Sequence, residues 1–96
     1  MSENYILVGK ETKQINDILE WAQHMETVNR IVEQTEIGDI KVSTVFLGLD
    51  HRYGDGEPLL FETMIFGGSE DGFQDRYSTW DEATKGHKRA CALAKG

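Results

Sequence analysis

Apolar and polar positions follow two different rhythms along this chain, and each rhythm predicts an element. Tyr5 to Val8, Y-I-L-V, is a short apolar run closed by Gly9, which predicts a brief strand. Ile15, Ile18, Leu19, Ala22, Met25 and Val28 then recur near i, i+3, i+4 and i+7, the stripe of an N-terminal helix. Asp17 and Glu20 fall in its early turns, where the helix dipole favours carboxylates. Trp21 sits off the centre of that stripe.

The middle of the chain changes to a period of two. Gly38-Asp39 has glycine first, as a type II′ turn prefers, so a β-hairpin is expected there. Folding about it sets Ile37 opposite Ile40, Glu36 opposite Lys41, Thr35 opposite Val42 and Gln34 opposite Ser43. Carried further, the same register pairs Val32 with Val45, Ile31 with Phe46 and Arg30 with Leu47. It gives one opposite-charge pair and several apolar pairs together, which a one-residue slip would spoil.

A polar loop from Asp50 to Pro58 leads into another long strand, Leu59 to Phe66. Leu60, Glu62, Met64 and Phe66 share one face of it, and Leu59, Phe61, Thr63 and Ile65 the other. Both faces are largely apolar, which suits a central strand. A second polar loop, Gly67 to Asp75, precedes a short strand at Arg76-Tyr77-Ser78. Thr79 and Glu82 have the spacing of a capping box, opening a final helix that runs to about Ala94. The expectation is an α+β protein: an antiparallel β-meander with a central hairpin, an N-terminal helix, and a C-terminal helix packed on the sheet. In a meander, the Gly38 turn and Gly67 loop lie at one end. The Asp50 loop and the start of the last helix lie at the other, gathering His51, Arg52, Tyr53, Tyr77 and Trp80.

Composition narrows the class. The 96 residues form one domain, 1–96, without repeats, and 39% hydrophobic with 28% charged residues fits a globular chain. Its apolar stretches, Val42 to Leu49 and Pro58 to Phe66, fall short of the ~20 residues of a membrane span. The N-terminal segment reads as no signal peptide. The single Cys91 excludes an internal disulfide and fits a reducing cytoplasm. A net charge of −7, from 17 acids and 10 bases, argues against long nucleic acid or anionic membrane as partner. A small anion is still compatible, because half of the bases lie from Arg76 onward.

Several residues carry candidate chemistry. Asp50-His51-Arg52 is open to three readings: a catalytic pair, a ligand contact, or a structural loop. There is no G-x-S-x-G nucleophile elbow. His24, His51 and His87 have no metal-ligand spacing, and no metal or cofactor is expected. Glu62, in an apolar strand, requires a partner, with Arg76, Arg30 and Lys88 as candidates. Gly86 inside the last helix implies close approach of another backbone, from the sheet or from a second subunit, and His87 beside it reads as a satisfied core or interface histidine. Arg52, Arg76, Lys88 and Arg89 suit phosphate. His51, Phe66, Tyr77 and Trp80 complete a candidate ligand-binding set, the rings offering a stacking surface for a base.

The strings S-T-V-F-L-G-L-D-H at Ser43 to His51, L-L-F-E-T-M-I-F-G at Leu59 to Gly67 and R-Y-S-T-W-D-E-A at Arg76 to Ala83, then Gly86-His87, carry a resemblance. Together they resemble a widespread family of small bacteriophage proteins and are similar to the Thoeris anti-defence sponge proteins. That resemblance implies a homodimer or higher homo-oligomer in the cytoplasm of an infected bacterium. It would sequester a small nucleotide immune signal, a cyclic ADP-ribose isomer or cyclic oligonucleotide, without degrading it. It implies no residue-by-residue ligand set. An acidic protein–protein inhibitor or accessory factor acting on a host defence protein is the alternative. A small hydrolase using Glu62, or Asp50 with His51, is a third reading.

Overall fold

The computed structural model describes residues 3–52 and 54–96. Tyr53, one of the residues expected at the loop end of the sheet, lies outside the described residues. The elements are β1 (Asn4–Val8), β2 (Glu11–Ile15), α1 (Ile18–Thr27), β3 (Ile31–Ile37), β4 (Ile40–Phe46), β5 (Phe61–Phe66), β6 (Gln74–Tyr77) and α2 (Trp80–Lys95). β3 to β6 form an antiparallel meander in chain order, and β1 with β2 form a separate hairpin. The fold is thus α+β as expected, with α2 packed across all four strands of the meander. No helix among the described residues is long and apolar enough to cross a membrane.

The central hairpin has the expected register from Ile37–Ile40 through Gln34–Ser43. Gly38 has φ +60°, and among the described residues no non-glycine residue, Asp39 included, has positive φ, the combination a type II′ turn requires. Beyond Gln34 the register departs from expectation. A bulge at Val32 lets Ile31 pair with Val45, so Phe46 is not its partner. Val32 then packs against the core around Phe46 while Ile31 turns away.

The N-terminal part departs further. Ile15, read as the start of a helical stripe, ends strand β2, and β2 returns on β1 through the Gly9-Lys10 turn. The helix starts later, with Asp17 as N-cap accepting from the backbone N–H groups of Leu19 and Glu20. Its inner side is also different. Trp21 Nε1–H donates to the Gly48 carbonyl at 3.1 Å, and His24 Nε2 accepts the Leu7 N–H at 3.1 Å. Met25 fills the space left by the absent Gly48 side chain, where a Cβ would come within 2.6 Å of its methyl carbon. Docked this way, α1 leaves Ile18 56% and Leu19 72% exposed.

All of this packs on one face of the meander. Tyr5 and Leu7 from β1 meet Phe46, Leu60, Phe61, Tyr77 and Ala83. Val42 and Ile65 meet Ala90, flanked by Ile37, Ile40 and the half-buried Cys91. Burying a side chain of this size contributes about 1.5–3 kcal/mol. The capping box of α2 forms as expected: Thr79 N–H donates to Glu82 Oε1, and Glu82 N–H to Thr79 Oγ1, each at 3.1 Å.

Candidate functional site

The two ends of the sheet are composed as the meander requires. Phe66 pairs with Lys41 beside the Gly38 turn, and Gly67 packs against Asp39 there. Phe61 pairs with Phe46 and Tyr77 at the other end, where Trp80 opens α2. The expected site residues therefore do not form one group. His51, Arg52, Tyr77 and Trp80 belong to the Asp50-loop end, and Phe66 to the opposite end. Lys88 and Arg89 stand exposed along the middle of α2.

At the loop end, Asp50 organises backbone. Its Oδ1 accepts the N–H groups of Arg52 at 2.9 Å and Leu59 at 3.0 Å, while Oδ2 pairs with Arg52 Nε at 2.8 Å. Arg52 also donates to the Gly56 carbonyl and lies 3.9 Å from Glu3. The Asp50-His51-Arg52 run thus closes the loop from both sides. His51 contributes its backbone N–H to Leu59 and keeps a half-buried side chain.

Arg76 projects from the sheet face opposite α2 and holds Glu62, Nε to Oε2 at 2.9 Å, with Gln74 donating to the same oxygen. One of the three cations considered for Glu62 is therefore its partner. Tyr77, the next residue along β6, points the other way and is buried. Its ring occupies the space a Gly86 side chain would fill, where a Cβ would lie 2.2 Å from the phenol oxygen. The close approach at Gly86 is therefore by a side-chain ring of β6, and not by the backbone expected there. Burial first, then the neighbouring carboxylate Asp75, pushes the Tyr77 hydroxyl pKa up, although Thr63 and Arg89 oppose this.

His87 is 1% exposed and lies under the sheet. Its Nε2 meets Thr35 Oγ1 at 2.8 Å and its Nδ1 meets Thr44 Oγ1 at 2.7 Å; Thr44 continues to Thr63 Oγ1 at 2.6 Å. Burial lowers the His87 pKa, with Glu33 Oε2 at 3.8 Å acting in the opposite sense. The satisfied core histidine read from the sequence is thus what the fold contains. Among the described residues, every buried side-chain nitrogen and oxygen has a hydrogen-bond partner.

A cleft of about 470 Å³ lies between the β1–β2 turn and the start of α2. Lys10, Glu11 and Thr12 line one wall, and Thr79, Trp80, Asp81 and Thr84 the other. Trp80 is held on its inner side by Phe61, edge to face with centroids 6.2 Å apart. Of the residues nominated from sequence, Trp80 alone lines this cleft. Lys10 to Thr12 were missed because E-T-K-Q lacks the apolar alternation of a strand. Gly9-Lys10 following Y-I-L-V was the available turn signal. No protein-family model, no curated protein and no solved structure matches this chain.

Proposed function

We propose that this protein is a non-catalytic sponge: a phage-encoded, cytoplasmic homo-oligomer that sequesters a small phosphorylated nucleotide immune signal. The sequence resemblance suggests the ligand class, a cyclic ADP-ribose isomer or cyclic oligonucleotide. One structural observation carries the site, the cleft that presents Trp80 opposite Lys10. An indole braced by Phe61 is a rigid stacking platform for a base. Lys10 supplies a cation for phosphate, and Glu11 and Asp81 accept hydrogen bonds from ribose hydroxyls or an exocyclic amine. Two acids against one base suit a hydroxyl-rich ligand with few phosphates better than a polyphosphate. The non-catalytic reading is favoured by commitment of the two carboxylates of the hydrolase reading: Asp50 to its loop and Arg52, and Glu62 to Arg76.

The test is thermal unfolding against a panel of cyclic nucleotides and ADP-ribose isomers, followed by mass spectrometry of the small molecules released by heat. A bound ligand at a hundred times its Kd raises stability by about 2.7 kcal/mol. Trp80→Ala is expected to abolish that midpoint rise, and ligand recovered intact supports sequestration. A chemically converted ligand would sink the sponge reading. So would a full midpoint rise in Trp80→Ala, as far as the site is concerned.

An inhibitor acting on a host defence protein is favoured by a different observation: α1 displays Ile18 and Leu19 to solvent in an acidic protein. Affinity capture from bacterial lysate separates the two readings. A stoichiometric protein partner lost with Leu19→Asp, and no panel compound bound, would favour the inhibitor.

A further inference from the structure

The meander has two faces, and the described chain covers only one of them: α2 packs there, and α1 contacts β1 and β2. The second face is identified by register. Ile31, Val45, Glu62 and Arg76 form one cross-strand row. Gln34, Ser43, Met64 and Gln74 form the next, and Glu36, Lys41 and Phe66 the last. Hydrogen bonds from Gln34 to Ser43 and from Arg76 to Glu62 confirm that these side chains share a face. Ile31 and Phe66 are each 46% exposed on it, and Val45 and Met64 are half-buried between the charged pairs.

We propose that this open face is where a second copy of the chain packs, sheet against sheet. Three observations select a second copy as the occupant. The first is charge. The chain carries −7, so two copies repel over most of their surfaces, yet this face holds two acids, Glu36 and Glu62, and two bases, Lys41 and Arg76. It is electrically neutral, and like faces meet there without net repulsion.

The second is shape. The inner strands differ, since β5 presents the large Glu62, Met64 and Phe66, while β4 presents Val45, Ser43 and the flexible Lys41. A two-fold axis parallel to the strands, between β4 and β5, lays the large strand of each copy over the smaller strand of the other. Met64 then sits over the small Ser43 of the second copy. Phe66 meets its Lys41, a cation–π arrangement. Such an isologous contact is self-complementary and closes at two subunits.

The third is area. Four strands spaced about 4.8 Å apart and about 20 Å long present a footprint of about 400 Å². With side-chain relief, two copies withdraw on the order of 1,000 Å² from water, the lower edge of specific interfaces. An interface of that size belongs with the weak, transient ones, so the expected dimer exchanges with its protomer.

This proposal rests on the oligomeric part of the function proposed above and is independent of the cleft. Its readout is mass, whereas ligand binding is read as a midpoint shift, so either can fail alone. The full chain, measured by sedimentation and light scattering across a concentration series, is expected to reach twice the protomer mass of 10.9 kDa. Met64→Arg and Phe66→Arg, both checked for folding by circular dichroism, are expected to remain protomers. Lys41→Glu leaves three acids and one base on the face and is expected to weaken the dimer at least about tenfold. The double exchange E36K/K41E restores neutrality and is expected to recover most of that loss. A wild-type chain at protomer mass throughout the series overturns the proposal. So does a dimer that survives in both arginine variants.

Discussion

The two faces of the meander handle polar groups in opposite ways. Beneath α2, Thr35, His87, Thr44 and Thr63 are joined end to end, the last three sealed from water and Thr35 half-buried at the edge. On the open face, Glu62 and Arg76 pair in partial contact with solvent, and apolar side chains stand exposed between charged ones. The covered face stabilises one protomer conformation, because an unsatisfied buried group costs more than a made hydrogen bond contributes. The open face contributes little to the isolated protomer, and its composition makes sense as a contact surface. Substitutions should therefore act on folding on one side and on association on the other.

The largest effect expected on the covered face comes from Gly86→Ala. The added Cβ would lie 2.2 Å from the Tyr77 phenol, and Tyr77 is itself packed in the core. Overpacking of this kind costs about 1–3 kcal/mol or more, and each kcal/mol lowers the melting midpoint of a domain this size by about 4–8 °C. A melting curve within a few degrees of wild type would show that Tyr77 can move aside.

Next in size is Thr44→Val, nearly isosteric, which leaves His87 Nδ1 and Thr63 Oγ1 without their shared partner. A loss of about 1–3 kcal/mol in urea unfolding is expected. Ser43→Ala, the adjacent residue facing the other way, is also buried but loses only a bond from the exposed Gln34, which water can replace, and should cost less than about 1 kcal/mol. Equal losses at the two positions would erase the distinction between the faces.

The smallest effect is a pH dependence. Burial depresses the His87 pKa, so between that value and the ordinary one near 6.5 the unfolded chain binds a proton that the native state does not. Stability from this group is complete above about pH 6.5 and falls as pH drops, by at most about 1.4 kcal/mol per pH unit. Tyr77 acts at the other limit. Its raised pKa means that stability is complete below about pH 10 and is lost as pH rises beyond it. Stability measured from pH 7 to 5 in wild type and His87→Gln isolates the histidine, because the acid-side loss should be shallower in the variant. Parallel curves would mean that the carboxylates dominate.

Wherever a rule operates between neighbours in sequence, the structure was legible beforehand. The Gly38-Asp39 turn, the first four hairpin pairs, the Thr79–Glu82 capping box and the central placement of β5 all follow from turn chemistry, capping or strict alternation. Glu62 was legible as needing a partner, because a carboxylate among apolar neighbours is costly unpaired; register selected Arg76. The cleft was legible only through Trp80. Its other wall belongs to β2, whose residues E-T-K-Q-I match no strand pattern and form one because β1 offers a partner.

The sequence by itself determined the α+β class, the meander around a central hairpin, the capped last helix and a histidine held in the core. Periodicity and capping are written within a few residues of where they act. Only the tertiary structure decided which side of α1 faces inward, where the β3–β4 register breaks, and that one face of the sheet stays open. Those outcomes depend on meetings between residues far apart in the chain. Trp21 and Met25 reach Gly48, Val32 packs near Phe46, and the Tyr77 ring fills the gap at Gly86. In each case the free energy lies in a fit between surfaces, which no local pattern encodes.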